Sequence, residues 1–311
     1  MDALAREGVD LLHETYGRHE GHRAVHAKGT VCRGTFTATP AAARLTRAAH
    51  MQGESVPVVA RFSNGAGNPS TPDFVQDGRG LAVKLSLPDG SRTDIMALNL
   101  PCFFVRTPED FVKFTRASKR LPVINQPGPR FALYLATHRE ALRAVRAFLA
   151  LKPPASYARL RYNALHAFRW VNADGEALDV RYSWLPEAGE ATIGGSEAKQ
   201  AGRDYLRDEL VERLGREPVR FRLWVQIAGP DDPVADPTAV WPEERETVEV
   251  GTLELTELET GRDTGGDILV FDPTRVTDGI ELTDDPLPRF RSQAYSVSVE
   301  RRAGVARPAG L

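Results

Sequence analysis

The first hundred residues alternate short strand-like runs with tight turns, and this alternation limits the fold more than any other feature of the chain. The runs are rich in β-branched and aromatic residues and lie at 28–39, 56–63, 80–87 and 93–98. The segments between them, such as Asn64-Gly65-Ala66-Gly67-Asn68-Pro69 and Pro88-Asp89-Gly90-Ser91, have the composition of turns. One short helical piece, at 41–49, interrupts the series. The pattern predicts an antiparallel sheet that curls.

The rest of the chain mixes further strands with helices. Strands are predicted at 167–172, 178–184, 219–227 and 247–255, and helices at 2–16, 131–149, 200–214 and from the start signal at 284–288 through Arg302, where Gly304 ends the last helix. Another helix begins after Thr107, with Pro108 in its first turn. Apolar and polar residues alternate along 219–227, so one face of that strand is predicted to be buried.

Composition and charge exclude several classes of protein. The formal net charge is −2, from 40 Lys and Arg against 42 Asp and Glu, so nucleic acid is not expected as a partner. The two cysteines, Cys32 and Cys102, are too few for a disulfide framework and lack metal-ligand spacing. No signal-peptide pattern and no run of about 18 apolar residues occurs, so we expect a cytoplasmic chain without a membrane segment.

Two segments near opposite ends of the chain carry residues suited to chemistry. Arg291 and Tyr295 lie four positions apart on the predicted last helix, so they share a face. A guanidinium placed against the phenol oxygen favours the phenolate, and tyrosine is an attested axial ligand of haem iron. His26 stands between small and apolar neighbours just before the first strand. Taken alone, each pattern is more typical of packing than of catalysis.

Several motifs in order along most of the chain resemble the haem catalase superfamily. They are Arg23-Ala24-Val25-His26-Ala27-Lys28-Gly29, Arg61-Phe62-Ser63, Asp77-Gly78-Arg79-Gly80-Leu81-Ala82-Val83-Lys84, the stretch from Asp94 through Pro101-Cys102-Phe103-Phe104-Val105-Arg106, Tyr162-Asn163-Ala164-Leu165-His166-Ala167-Phe168, Trp241-Pro242, Phe271-Asp272-Pro273-Thr274 and Arg291-x-x-x-Tyr295. Within that superfamily the chain is similar to the small members called catalase-related peroxidases.

The resemblance implies an α+β fold. An antiparallel catalase-type β-barrel would be flanked by helices, with haem b, carrying ferric iron, between the barrel and the C-terminal helix. Residues 1–311 would form a single catalase-core haem domain, with no threading arm and no C-terminal helical or flavodoxin-like domain. We therefore expect a monomer or homodimer, and we do not expect bound NADPH.

The resemblance also assigns roles to residues. His26 matches the distal catalytic histidine, and Ser63 matches the serine that orients its imidazole. Tyr295 matches the proximal ligand of the iron, with Arg291 as its partner. The remaining cofactor-binding positions are Arg23, Arg61 and Arg302 for the haem propionates, Val25 packed over the iron and Phe111 against the macrocycle.

One position departs from the pattern of the superfamily. The distal asparagine is the first of two consecutive asparagines, but here that position, counted back from Pro101, is Leu98, and Asn99 takes the second. Neighbouring residues on a strand point to opposite faces, so Asn99 could replace the missing amide only if a bulge rotated it inward. Because an amide donor helps to position a second hydrogen peroxide, we expect inefficient catalase activity.

The expected function is that of a haem-dependent peroxidase. It would reduce hydrogen peroxide or organic hydroperoxides with small organic reductants through an oxoferryl intermediate, while His26 moves the proton during cleavage of the O–O bond. Two other enzymes stay open: a true catalase that disproportionates hydrogen peroxide, and a haem enzyme that rearranges hydroperoxides. A haem carrier or sensor, and a barrel that binds an apolar ligand with Tyr295 in its core, are the non-enzymatic alternatives.

Overall fold

A computed structural model describes residues 2–119, 128–259 and 269–303, and its elements lie close to the predicted positions. The strands are β1 (Gly29–Ala38), β2 (Val56–Asn64), β3 (Arg79–Ser86), β4 (Arg92–Leu98), β5 (Tyr162–Asn163), β6 (Phe168–Val171), β7 (Ala177–Pro186), β8 (Val219–Ile227), β9 (Thr247–Leu258) and β10 (Ile280–Leu282). The helices are α1 (Asp2–Tyr16), α2 (Pro40–Leu45), α3 (Pro108–Ser118), α4 (Pro129–Thr137), α5 (Ala141–Leu149), α6 (Gly195–Ala201), α7 (Tyr205–Leu214) and α8 (Leu287–Arg302), with single 3₁₀ turns at Ala49–Met51 and Tyr157–Arg159.

Eight of the strands close into an antiparallel barrel. The neighbours run β7-β5-β4-β3-β2-β1-β9-β8, and a further pairing of β8 with β7 completes the ring. Strands β6 and β10 extend the sheet from β7. The barrel flanked by helices that the resemblance implied is therefore confirmed.

The predicted helices at 41–49, 131–149 and 200–214 were too long, because each is interrupted. The second divides into α4 and α5 at His138, whose φ of −123° and ψ of 72° lie outside the helical region, and the Thr137 hydroxyl donates to the Tyr134 carbonyl in this last turn. The third divides into α6 and α7 at Gly202, whose φ of +110° favours glycine. The helix predicted at 41–49 is α2 followed by a 3₁₀ turn. Gly304, the predicted end of the last helix, lies outside the described residues.

The two faces of the barrel wall have different roles. Interior positions are apolar and buried, as the alternation along β8 predicted: Val219, Phe221, Leu223 and Val225 are almost fully inaccessible. On the outer face of β1 to β4, strand register aligns Gly29, Ser63, Gly80 and Leu98 in one cross-strand row. Because directly paired residues project to the same side of a sheet, this row defines one surface outside the barrel.

Helices α1, α3 and α8 pack together outside the barrel. Their shared apolar cluster contains Ala5 of α1 and Leu287 and Phe290 of α8, and Phe111 of α3 packs against it. The predicted start of α3 is confirmed, since the Thr107 hydroxyl accepts a hydrogen bond from the Asp110 amide at 3.1 Å. Over residues 2–119, 128–259 and 269–303, the helices are too short or too polar to cross a membrane.

One histidine is buried in the core without a polar partner. His50 is fully inaccessible, and its ring lies 6.3 Å from that of Phe36. Neither of its ring nitrogens has a hydrogen-bond partner among the described residues. Burial lowers the pKa of His50 from 6.5 to about 4, because the charged imidazolium is disfavoured away from water. The folded chain therefore holds this imidazole neutral.

We expect His50 to make the protein sensitive to acid. Below pH 6.5 the unfolded chain binds a proton that the folded chain excludes, so stability present above that pH is lost as the pH falls towards 4. The loss amounts to about 3 kcal/mol at acid pH. Urea unfolding of the wild type and His50→Leu, at neutral pH and near pH 4, measures it. The leucine variant should lose less stability between the two conditions, and an equal loss would contradict this account.

Candidate active site

His26 lies in the loop between α1 and β1, in a backbone conformation that side chains disfavour. Its φ is +55°, in the left-handed region, and it is the one described residue other than glycine with a positive φ. Two backbone hydrogen bonds hold this conformation, from His26 N to Gly65 O at 3.0 Å and from Ala27 N to Ala66 O at 3.1 Å. Strain of this kind persists only where the surroundings fix it, and it is common at functional sites.

The side chain of His26 is oriented by β2 and β3. Its Nδ1 lies 3.0 Å from the hydroxyl oxygen of Ser63, as predicted for the serine that positions the imidazole. Across the register from Ser63, Gly80 leaves room for the ring, because a Cβ there would lie 3.2 Å from His26 Cε1 and 2.9 Å from the serine hydroxyl. The Ser63 hydrogen bond uses Nδ1 and leaves Nε2 for chemistry.

Burial and positive charge keep His26 neutral. Its pKa is lowered from 6.5 to about 3, first by burial and then by the charges of Arg61, Arg291, Arg23 and Arg79. A neutral imidazole has a lone pair that can accept a proton. At neutral pH this side chain is therefore a base before the reaction begins.

The three arginines predicted to bind propionates line one cavity. Arg23, Arg61 and Arg302 meet around a space of about 180 Å³ between the His26 loop, β2 and α8. Arg23 and Arg302 both donate to the Leu269 carbonyl, at 2.6 and 3.2 Å, and buried Arg61 donates to the Ala27 carbonyl at 3.3 Å. Three guanidinium groups around one cavity suit a ligand with carboxylate groups.

Tyr295 and Arg291 interact as their spacing on α8 predicts. Arg291 directs two N–H groups at the phenol oxygen, Nε at 3.0 Å and Nη2 at 2.8 Å. Both N–H groups belong to one guanidinium, so two donors of a single cation face this oxygen.

Behind Arg291 the structure adds two residues to which the sequence assigned no role. The third guanidinium nitrogen, Nη1, donates to His166 Nε2 at 2.7 Å, and His166 Nδ1 donates to the buried carboxylate of Asp285 at 2.7 Å. Arginine can only donate and carboxylate can only accept, so this imidazole is neutral. Burial lowers the pKa of His166, against the opposing effect of Asp285. The chain Tyr295–Arg291–His166–Asp285 fixes the guanidinium in place.

The segment that carries His26 packs directly on the helix that carries Tyr295. The Ala24 amide lies 3.4 Å from the Ser298 hydroxyl, one turn beyond Tyr295, and Ala24 packs with Val9 and Val297. Arg291 contributes to the lowered pKa of His26, so its charge acts on that imidazole. The first and last parts of the chain thus build one site.

The pairing of β3 with β4 locates Leu98 and Asn99, the two residues at which the sequence departs from the family pattern. Leu98 pairs directly with Gly80, which touches His26 and Ser63, so Leu98 faces the same surface. Asn99 is held elsewhere, because its side-chain oxygen accepts from the Arg79 amide at 2.6 Å. The β3–β4 register is unbroken from Ser86 to Gly80, so no bulge turns Asn99 towards that surface.

Two other predicted residues have clear positions. Val25 is half-buried in the His26 loop. Phe111 packs with its ring centroid 5.3 Å from that of Phe290 and 6.0 Å from that of Phe104, in the aromatic cluster beside α8. The contact with a macrocycle assigned to each stays a prediction.

The donor set fits a haem. Tyr295 offers an oxygen that Arg291 contacts through two N–H groups, His26 offers a neutral imidazole, and the arginine-lined cavity suits two carboxylates. Gly80 keeps side-chain atoms away from the space beside the His26 ring. The segment that carries His26 packs on α8, which carries Tyr295, and Arg302 of the same helix lines the arginine cavity.

Comparison with known proteins identifies the family of the chain. The family model described as Catalase matches residues 13–307. A catalase-related peroxidase of Mycolicibacterium paratuberculosis is 47% identical over 304 residues, which cover 97% of this chain and 96% of the relative. A catalase-related peroxidase of Synechococcus elongatus is 36% identical and covers 94% of this chain and 87% of its own length.

Solved structures support the fold. A fungal catalase and catalase A from Saccharomyces cerevisiae superpose with TM-scores of 0.82 and 0.81, each at 24% identity over 92% of this chain. The chain spans only 60% and 62% of those two catalases. The resemblance inferred from the motifs is confirmed, and the chain belongs to the catalase family, where it is similar to the catalase-related peroxidases.

Proposed function

We propose that the protein is a haem-dependent peroxidase that reduces hydrogen peroxide or organic hydroperoxides with small organic reductants. The observation that carries the proposal is the pair of Arg291 N–H groups on the Tyr295 oxygen, because it places a cation on a potential iron ligand in a site that also holds a neutral histidine. The relatives indicate a peroxidase-type oxidoreductase, and they are named catalase-related peroxidases. The cofactor we propose is haem b.

On the proximal side, residues of α8 would hold the cofactor. Haem, when bound, supplies the iron at which a peroxide is cleaved and the capacity to store its oxidising equivalents. Tyr295 would bind the iron through its phenolate oxygen, and Arg291 would stabilise that charge. His166 and Asp285 would keep the guanidinium aligned, because His166 accepts from Arg291 and donates to Asp285 in two hydrogen bonds of 2.7 Å.

On the distal side, His26 would act first as base and then as acid. Its neutral Nε2 would take the proton from the peroxide, while Nδ1–H donates to the Ser63 hydroxyl. The same nitrogen would return the proton to the departing oxygen, which leaves as water or as an alcohol. Ser63 holds the imidazole in one orientation throughout, so the proton travels between defined atoms.

The apolar Leu98 favours peroxidase over catalase chemistry. Disproportionation needs a second hydrogen peroxide to be held beside His26, and an amide donor assists that positioning. Leucine offers no hydrogen bond, and Asn99 is engaged with Arg79. The oxidising equivalents would therefore pass to an organic reductant.

The direct test mixes haem-loaded protein with a peroxide and an oxidisable dye. We expect dye oxidation that requires haem, with hydrogen peroxide and with an organic hydroperoxide such as cumene hydroperoxide. A control without haem measures the background. Protein that shows a ferric Soret band but no haem-dependent dye oxidation would overturn the proposal.

Leu98→Asn should restore part of the missing catalase activity. The new amide would project beside His26, because Leu98 lies across the register from Gly80. We expect oxygen evolution from hydrogen peroxide to rise by about tenfold, since a single placed donor is worth at least that much. A Clark electrode measures it, with Leu98→Met as the apolar control. No rise over Leu98→Met would show that this position does not limit disproportionation.

A further inference from the structure

A second group of polar side chains lies away from the His26 and Tyr295 site. Asp110 in the first turn of α3, His138 at the end of α4 and Glu140 at the start of α5 place one potential ligand atom each within 4.8 Å of one another. All three side chains are partly buried. Within the described ranges, no other set of three histidines, cysteines or carboxylates has this geometry.

The histidine in this group is held in the tautomer that binds metal ions. Its Nδ1 lies 3.1 Å from the Tyr134 carbonyl, which can only accept, and 2.9 Å from the Thr137 hydroxyl, whose own proton is directed at that carbonyl, so we assign a proton to Nδ1. The ring also stacks on Tyr134 with centroids 4.0 Å apart and planes 4° from parallel. Nε2 is thereby aimed at Asp110. Histidines that bind metals commonly use this arrangement, in which the second nitrogen donates to a carbonyl.

The distances inside the group suit a shared ion. His138 Nε2 lies 3.6 Å from Asp110 Oδ1, too far for a good hydrogen bond. Two ligands of a tetrahedral zinc ion, each about 2.1 Å from the metal, stand about 3.4 Å apart. The carboxylate of Glu140, the third member, is partly buried and supplies the remaining potential ligand atom. The group thus combines two carboxylates with one nitrogen donor.

One positive side chain stands near the group and can move away. Lys113 Nζ lies 3.1 Å from Asp110 Oδ1, and its side chain is 56% exposed. An exposed ion pair of this kind contributes little stability, so the long lysine side chain can turn into solvent. Its charge offsets only one of the two carboxylates. A divalent ion would balance both.

We propose that Asp110, His138 and Glu140 bind a divalent transition-metal ion such as zinc. Imidazole with carboxylate oxygens is a donor set that suits zinc and its neighbours in the first transition row, and water would complete the coordination. The ion would join α3 to the turn between α4 and α5. None of the three ligands belongs to the proposed haem site. A negative result for this metal site would therefore leave the proposed peroxidase function unaffected.

The test titrates zinc into tag-free, haem-loaded protein that has been treated with a chelator. Isothermal titration calorimetry should show one zinc per chain. His138→Gln and Asp110→Asn should each weaken binding by about 100-fold, as the loss of a ligand costs at least as much as the loss of its supporting hydrogen bond. His19→Gln, which changes a partly exposed histidine outside the group, should bind zinc as the wild type does.

A second measurement separates loss of the site from loss of the fold. Zinc should raise the Tm of the wild type and of His19→Gln but not of the other two variants, because a ligand stabilises only the form that binds it. Circular dichroism without zinc should be the same for all four proteins. Absence of saturable binding, or equal binding by His138→Gln, would overturn the proposal and leave a simple His138–Asp110 ion pair.

Discussion

Tyr295→Phe is expected to purify with little or no haem. The substitution removes only the phenol oxygen, which is the one atom proposed to bind the iron, and leaves Arg291 with two unsatisfied N–H groups. Since axial ligation contributes much of the affinity for haem, the Soret absorbance per chain should fall by about tenfold or more, and peroxidase activity should fall with it.

The control for this variant lies on the same helix. Ser296→Ala changes an exposed residue whose hydroxyl bonds only to the Ser292 carbonyl, so its haem content should match the wild type. Circular dichroism of both variants reports whether α8 and the barrel still fold. Unchanged haem content in Tyr295→Phe would favour the alternative in which this tyrosine is a packing residue.

His26→Gln should retain haem but lose the ability to cleave peroxides quickly. Glutamine keeps much of the size and polarity of the imidazole, but it cannot take and return a proton. General acid–base catalysis is worth about 100- to 10,000-fold, so we expect kcat/KM for peroxide to fall by about 1,000-fold. The Soret absorbance per chain should stay constant, because the proposed ligand is on the other side.

Stopped-flow mixing with peroxide measures this step apart from the oxidation of the reductant. His19→Gln, in the same loop, serves as the matched control, since the partly exposed His19 ring contacts the Tyr16 carbonyl through Nε2. A loss of less than about tenfold in His26→Gln would assign the proton transfer to another group.

The parts of the fold that the sequence predicted well are those set by local pattern. Strand periodicity located β1 to β4 and β8, and the Thr107 cap with Pro108 located the start of α3. The helix boundaries at His138 and Gly202 were missed because side-chain bonds and a positive φ, rather than hydrophobic periodicity, set them. The short strand β10 was missed because its three residues carry too little pattern.

The sequence predicted those parts of the candidate site that local spacing or a single motif defines. The Arg291–Tyr295 pair follows from helical spacing, and His26 and Ser63 follow from the motifs that contain them. His166 and Asp285 are 119 positions apart, so no local pattern links them, although His166 lies in a motif that the sequence displayed. Only the closed barrel brings these two residues behind Arg291.

The register of the sheet explains why Leu98 matters more than Asn99. The two neighbours differ by one position, and a strand directs them to opposite sides. The sequence could place leucine at the amide position but could not exclude a bulge. Because Gly80 pairs with Leu98 and the Asn99 side chain accepts from the Arg79 amide, we expect the leucine, and not Asn99, to face His26.

The central claim is that His26 and Tyr295 lie on opposite faces of one haem. A crystal structure of the haem-loaded protein, at a resolution that defines the iron coordination, tests it most directly. The account predicts the Tyr295 phenolate oxygen as the axial ligand and the His26 imidazole over the other face. An iron bound by any other side chain, or a haem with both residues on one side, would contradict it.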